Sequence, residues 1–366
     1  MGVEISFILG LCIALVAVPF FDLPEFVRVY GPKRFIKRAR NSLVLWNRLA
    51  RRRMFGAVAD PHHYARGNEE SRLRHLSKNT AIITCYFNPA NLPTVEREYR
   101  RFMREVEWWE GECFSAELAF PGQEWPSPSA FIQLRAGENQ MLWQRERLLN
   151  LIVERLPSSY DTIAVIDPTI LLLNGSALAK AELLLATANV VELCRDVHSV
   201  DERGEVVATY RKDVRSEGES DELACAQPRG TLTVGFLARR GVFPLYDRCV
   251  YGFGQALTGA AWRGTELSSV VVSPHERAHY KTWATQAFSR VRGRVTSIEG
   301  ACITSCSAAG ESTLLERREN GNPKLEFDPS RHIGIDEHGL LVWQEGAPLR
   351  LMDEVRDNLS ARTLFR

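Results

Sequence analysis

Short apolar runs alternate along this chain with longer stretches whose apolar positions recur every three to four residues. Thr80 to Phe87 is β-branched and apolar, which predicts a strand buried on both faces, and Asn88-Pro89 breaks it. Over 92–109, Val95, Tyr99, Phe102, Val106 and Trp109 fall at helical spacing. Residues 112–120 read as a second strand, Pro121 to Pro128 as a loop, and Ile132 to Leu134 as a short strand. Residues 139–155 predict a helix with Leu142, Leu149 and Ile152 inward. Thr162 to Ile166 is another short β-branched, apolar run that predicts a buried strand, which Pro168 must end because proline has no N–H for the ladder. A helix at 177–186 and a strand at Val190 to Leu193 follow. The charged stretch 198–228 reads as a hairpin or mobile excursion. Leu232 to Leu237 is a strand, Arg239 to Tyr246 begins a helix or turn, and a loop and short helix lie among Gly252, Gly254, Gly259 and Gly264. A helix over 275–290 is opened by Pro274, Val295 to Ile298 is a strand, and the last helix lies near 350–362. Strands that alternate with helices imply an α/β domain with a largely parallel sheet.

The N-terminal pattern differs. Residues 5–21, which include Ile5, Gly10, Ala14 and Phe21, carry no charge. As a helix they would span about 25 Å, close to the hydrocarbon thickness of a bilayer. A cleaved signal peptide is the rival reading, but the start is Met-Gly-Val-Glu without a basic residue, and bulky Phe20, Phe21 and Leu23 close the run. A retained membrane helix is therefore expected. Gly10 and Ala14 form a small-x-x-x-small pair that lets another helix approach closely. Beyond it lie Lys33, Arg34, Lys37, Arg38, Arg40, Arg51, Arg52 and Arg53, mixed with Phe35, Leu43, Trp46 and Leu49. Such a stretch suits the anionic face of a bilayer or a membrane partner, a solvated basic linker being the bland alternative. The cationic excess beside one span places the large domain in the cytoplasm.

Composition narrows the classes further. A chain of 366 residues that is 45% hydrophobic has ample material for a core, and a net charge of +1 argues against a general nucleic-acid binder. Eight scattered cysteines in a chain this long read as free thiols in a reducing compartment. Cys302 and Cys306 lack a partner histidine nearby. His275-Glu276-Arg277-Ala278-His279 matches the zinc-protease pattern, with Glu299 at a plausible distance for a third ligand, but the stretch also suits an ordinary helix before the strand at 295. Asp167 follows the strand at 162–166 and so sits at the carboxyl edge, where open α/β sheets bind ligands. Its bland reading is a turn-starting aspartate. No P-loop, dinucleotide glycine fingerprint or nucleophile elbow is present.

Several segments, taken in order, resemble the GT-A type of nucleotide-diphospho-sugar glycosyltransferase. They are Ile83 to Pro89, Trp143 to Asn150, Tyr160 to Leu173, and the tail from Phe327-Asp328-Pro329 to Gly339 through Trp343. The resemblance runs from about residue 80 to 362. It implies a GT-A-like, Rossmann-related sheet flanked by helices, following the membrane helix. Together with the N-terminal pattern, the expected organisation is a span over 1–27, a basic interfacial segment and linker over 28–79, and a cytoplasmic α/β domain over 80–366. The implied nucleotide site comprises Asn88, Arg145, Glu146, Asp167, Thr169 and Gln255, with a polar network at the sheet edge as the structural alternative.

The departures from that family concern the metal. An Asp-x-Asp triplet would follow the central strand, but the triplet here is Asp167-Pro168-Thr169, and a hydroxyl is a poor ligand for a hard cation. The glycine-rich acidic motif falls on Gly252-Phe253-Gly254-Gln255, where glutamine brings no charge. The late histidine motif falls on Gly300 to Gly310, without histidine. No metal and no cofactor is expected, and a leaving diphosphate would lack its usual stabiliser. The expectation is a non-catalytic subunit that packs against the lipid bilayer and integral membrane subunits in an inner-membrane complex, photosynthetic or respiratory. The alternative is a metal-independent transferase that takes a sugar from a nucleotide donor to a membrane-proximal acceptor, with Arg239, Arg240 or Arg263 replacing the metal.

Overall fold

The computed structural model describes residues 76–106, 111–174, 176–200, 206–211, 235–265, 273–305 and 327–361. The apolar run at 5–21, the basic segment to residue 75, most of the charged stretch 212–228, Cys306 and the turns at 320–323 lie outside these residues. Among the described residues, no helix is long and apolar enough to cross a membrane.

A seven-stranded sheet forms the centre. Its strands are β1 (Thr80–Phe87), β2 (Glu112–Ala119), β3 (Ile132–Arg135), β4 (Thr162–Ile166), β6 (Val190–Glu192), β9 (Gly235–Arg239) and β10 (Val295–Ser297). They lie in the order β10-β6-β9-β4-β1-β2-β3, and every pairing is parallel except the two made by β9. The apolar runs explain the arrangement. Ile82, Ile83, Ile163, Ala164, Val165 and Leu237 are buried whichever face they point to. Each buried Ile, Val or Leu contributes roughly 1.5–3 kcal/mol, so the central strands are covered on both sides. Helices α1 (Pro93–Val106), α2 (Arg145–Arg155), α3 (Ala177–Leu184), α4 (Gly254–Arg263), α5 (Pro274–Val291) and α7 (Leu349–Ala361) supply that cover, with a single turn, α6 (Pro329–His332), between. The result is a mixed α/β domain with a mostly parallel central sheet flanked by helices, as the alternation of strands and helices implies.

The local signals explain several boundaries. In α1, Tyr99, Phe102 and Val106 face inward at the predicted spacing. At the start of α5, Ser273 accepts a hydrogen bond from the Glu276 N–H at 3.0 Å, and Pro274 occupies the first helical position, where a missing N–H costs nothing. The helix expected over 139–155 instead begins at Arg145. Gln140 folds back to accept from the Gly137 N–H at 2.7 Å, which closes a separate 3-10 turn over Glu138–Gln140.

A second sheet was only partly foreseen. Strands β7 (Asp196–Val200) and β8 (Val206–Arg211) form a hairpin within the charged stretch. They join β5 (Ile170–Leu172) and β11 (Ala301–Ser305) in the order β5-β11-β7-β8. A three-residue strand such as β5 is too short to show a period. The tail forms a hairpin of β12 (Ile333–Ile335) and β13 (Leu341–Trp343) that docks on α2. Its turn needs Gly339, which has φ +91° and whose Cβ would lie 2.5 Å from Leu151 Cδ2.

Arg240 ties the carboxyl end of α2 to the rest of the domain. Its guanidinium donates to the carbonyls of Val153 and Pro157 at 2.7 Å, Leu156 at 2.9 Å and Tyr160 at 3.3 Å. A cation beside the last carbonyls of a helix also complements the helix dipole. Arg240→Ala is expected to cost about 2 kcal/mol in urea unfolding. Arg155→Ala, which removes one bond to the His338 carbonyl, is expected to cost less than about 0.5 kcal/mol.

Candidate functional site

In a parallel sheet the connecting helices run back against the strands, so their N-termini return to the carboxyl edge. The start of α2 is thereby set beside the end of β4. Asp167, the first residue after β4, meets Arg145, the first residue of α2, with Arg145 Nη2 2.7 Å from Asp167 Oδ2. The other arm of Arg145 donates from Nη1 to Gln255 Oε1 at 2.7 Å, and Gln255 lies in the first turn of α4. Asp167 Oδ1 accepts from the Thr169 N–H at 2.9 Å and from Thr169 Oγ1 at 2.7 Å. Asp167 therefore starts a turn and belongs to a polar network at the sheet edge.

Glu146 lies behind this layer and is only 1% exposed. Trp143 Nε1 donates to Glu146 Oε2 at 2.5 Å, and Arg145 Nη1 stands 3.6 Å from Oε1. Burial pushes its carboxyl above the ordinary range, opposed by Arg145 and by hydrogen bonds that favour the charged form. The start of α4 closes over it. A Cβ on Gly254 would lie 2.8 Å from Glu146 Cδ and 2.4 Å from the Tyr246 carbonyl, so only glycine fits at that point. The buried Cys85 thiol, pushed up to about 12 by burial, rests 3.8 Å from the Arg145 carbonyl as a packed group.

Five of the six residues assigned by resemblance, Arg145, Glu146, Asp167, Thr169 and Gln255, thus form one cluster. Asn88 makes its contacts elsewhere. Its Oδ1 accepts from the Leu92 N–H at 2.9 Å, and its Nδ2 donates to the Leu92 carbonyl at 3.0 Å and to Tyr86 Oη at 2.9 Å. Asn88 is a loop clasp. The three alternative cations are also engaged. Arg263 pairs with buried Glu192 at 2.7 Å, Arg239 donates to the Leu185 carbonyl, and Arg240 holds the end of α2. Trp143 and Gly254 complete the cluster. Both lay inside segments that the resemblance quoted, but only the fold shows Trp143 donating to Glu146 and Gly254 packed on it.

A cleft of about 470 Å³ opens beside the cluster's edge of the sheet. Pro89, Ala90 and Asn91 after β1, Phe120 to Gln123 after β2, and Glu138, Met141 and Arg356 line it. The Gln123 side chain donates to the Asn88 carbonyl at 2.9 Å and braces the two loops. None of the five clustered residues lines this cleft.

The zinc-like motif is not assembled as a site. His275 and His279 lie on α5, where His279 Nδ1 is 3.2 Å from Tyr246 Oη and Glu276 is fully buried. Glu299 is 93% exposed, with Arg195 at 4.0 Å. Among the described residues, no three His, Cys, Asp or Glu side chains are grouped to hold a metal.

Two outcomes follow from the cluster. Arg145→Met removes the cation that two carboxylates share, and it is expected to cost about 3 kcal/mol in urea unfolding, against less than about 1.5 kcal/mol for Gln255→Ala. Glu146 keeps its proton to higher pH folded than unfolded, so its contribution to stability falls as pH rises from the ordinary glutamate value near ~4.3. The stability difference between wild type and Glu146→Gln should therefore decline as pH rises from about 4 to 8. Unfolding midpoints across that range measure it.

No family model matches the chain, and no curated protein matches it either. Solved structures do match. One is a Desulfovibrio desulfuricans G20 protein assigned as a nucleotide-diphospho-sugar transferase, at 11% identity over 77% of this chain and 99% of that one, with a TM-score of 0.31. Another is glucosyl-3-phosphoglycerate synthase from Mycobacterium tuberculosis, solved with Mg2+ and uridine diphosphate, at 11% identity over 64% and 74%, TM-score 0.29. A third is a glycosyltransferase involved in glycosylation of the major capsid of PBCV-1, at 11% over 76% and 98%, TM-score 0.28. The matches thus include nucleotide-diphospho-sugar transferases, at similarities too low to carry any argument about what this chain does.

Proposed function

We propose that this chain is a glycosyltransferase-like protein whose active site has been converted to structure, and that it serves as a non-catalytic subunit of a larger membrane complex. The observation that carries the reading is the state of Asp167. Arg145 neutralises one of its oxygens, and Thr169 occupies the other. A hard divalent cation needs free carboxylate oxygens and a site of net negative charge. Here a guanidinium that is always protonated stands beside the carboxylate, and its second arm is fixed by Gln255. A metal entering this site would have to displace Arg145 and Thr169 from the Asp167 carboxylate. Without it, the charge that develops on a departing diphosphate has no stabiliser.

The sequence supplies the rest of the reading. The uncharged run at 5–21 anchors the chain in the bilayer, and the cations over 33–53 lie on its cytoplasmic face. The Gly10–Ala14 pair packs against another subunit's helix, since lipid offers an isolated span little preference over a protein neighbour. The partners are integral membrane proteins of an energy-transducing complex.

The cleft between the loops after β1 and β2 favours one other reading, a metal-independent transferase, because it leaves room for a ligand near the cationic Arg356. Two experiments separate these readings. Titration calorimetry of the full chain with a panel of nucleotide sugars, with and without manganese, is expected to show no binding tighter than millimolar; manganese-independent micromolar binding with sugar turnover favours the transferase. Native electrophoresis after mild-detergent solubilisation is expected to show the chain within a larger complex. Migration as a lone protein of 41.4 kDa would overturn the subunit assignment.

A further inference from the structure

We propose that Cys194 and Cys302 form a reversible disulfide, which makes this pair a redox-modification site of the domain. Their sulfurs lie 2.8 Å apart, and the side chains are 1% and 0% exposed. That separation is about 0.8 Å beyond the ~2.05 Å of a disulfide bond, so closure needs little movement. The backbone on both sides is already held. Cys194 lies between β6 and β7, where the Leu193 N–H donates to the Gly235 carbonyl at 3.0 Å, and the Arg195 and Asp196 N–H groups reach the Gly300 carbonyl at 3.0 and 3.1 Å. Cys302 lies in β11, opposite Val197 on one side and Leu172 on the other.

The surroundings of the pair are apolar. Leu193, Val197, Ile298 and Ile170 belong to the same apolar cluster. Two thiols in contact there can undergo two-electron oxidation to each other.

The oxidant class is a low-molecular-weight disulfide such as oxidised glutathione. One cysteine thiolate attacks a sulfur of that disulfide and releases one small thiolate, leaving a mixed disulfide. The second cysteine thiolate then attacks the protein sulfur of the mixed disulfide and releases the other. Two protein thiols are oxidised, two small thiols are formed, and each departing thiolate takes up a proton lost by a cysteine. Because both sulfurs are buried, exchange requires local opening of the second sheet, and mild denaturant should accelerate it. The closed loop spans 108 residues (302 − 194), a length at which a cross-link strongly restricts the unfolded chain. The bond also fixes β11, and through β11 it fixes β5, the strand that follows Asp167–Thr169 directly.

The test uses the full wild-type chain, incubated with excess oxidised glutathione or with excess dithiothreitol. Acid quenching, alkylation and non-reducing peptide mass spectrometry follow. The expected result is a linked peptide pair carrying Cys194 and Cys302 in the oxidised sample alone, and a Tm higher by roughly 5 °C than that of the reduced sample. In Cys194→Ala and in Cys302→Ala the linked pair should disappear and Tm should no longer respond to redox state. If both residues of the wild type are recovered as separately alkylated thiols after oxidation in mild denaturant, as glutathione adducts, or linked to any other cysteine, the assignment is overturned. The wild-type map decides the question even if neither variant folds.

Discussion

A guanidinium placed between two carboxylates, where the chain turns back on a dry sheet, is the constraint on which the candidate site depends. Arg145 and Glu146 are adjacent in sequence, and both lie at the N-terminus of α2. Glu146 is held at that helix start, against the start of α4, where backbone N–H groups and the helix dipole favour an anion. Its burial still carries a desolvation penalty, and Arg145 is the cation that offsets it. The same cation reaches across the carboxyl edge to Asp167. Ion pairs of this kind often add little net stability over an apolar replacement, but loss of one member leaves uncompensated charge in a low dielectric. The cluster therefore persists as a unit.

That unit also orients the helix from which the tail is hung. Gln144, immediately before α2, donates to the Leu341 carbonyl at 2.7 Å and accepts from the Leu341 N–H at 3.0 Å. One turn further in, Arg147 donates to the Gly339 carbonyl at 2.6 Å and pairs with Glu154. The C-terminal hairpin thus reads the position of α2 through backbone groups, to which side-chain identity in the hairpin matters little. On the other side of α2, Asn150 exchanges hydrogen bonds with the backbone of Leu245, fixing the segment that leads into α4. A shift of α2 would disturb β4, the tail and α4 together. Arg145, Asp167, Thr169 and Gln255 are directed at one another. The open cleft lies to one side, lined by loop residues and Arg356.

The strand at 162–166 was legible because a β-branched, apolar run ended by Asp-Pro leaves few alternatives, and β1 was legible because a similar run is ended by Asn-Pro. The turn conformation of Asp167 was legible from its neighbours. The start of α2 was not, because Leu142 and Trp143 continue the apolar pattern although they are packed outside the helix. The direction of β9 was not legible either, since a short apolar run reads identically in parallel and antiparallel pairing. The partners of Asn88, Arg239, Arg240 and Arg263 were not legible either, for a common reason. A polar side chain's partners are set by which backbone carbonyls and N–H groups the fold brings near it, and no local pattern encodes that.

By itself, the sequence determined the class of the domain, the order of most elements, and the absence of an Asp-x-Asp triplet. These depend on side-chain type and on short-range period. Only the tertiary structure decided that Arg145 closes on Asp167 and Gln255, that Gly254 packs against Glu146, and that Cys194 meets Cys302. These contacts join residues 22, 110, 108 and 108 positions apart. They arise because parallel strands return their connecting helices to one edge, and that geometry belongs to the whole sheet and to no single segment of it.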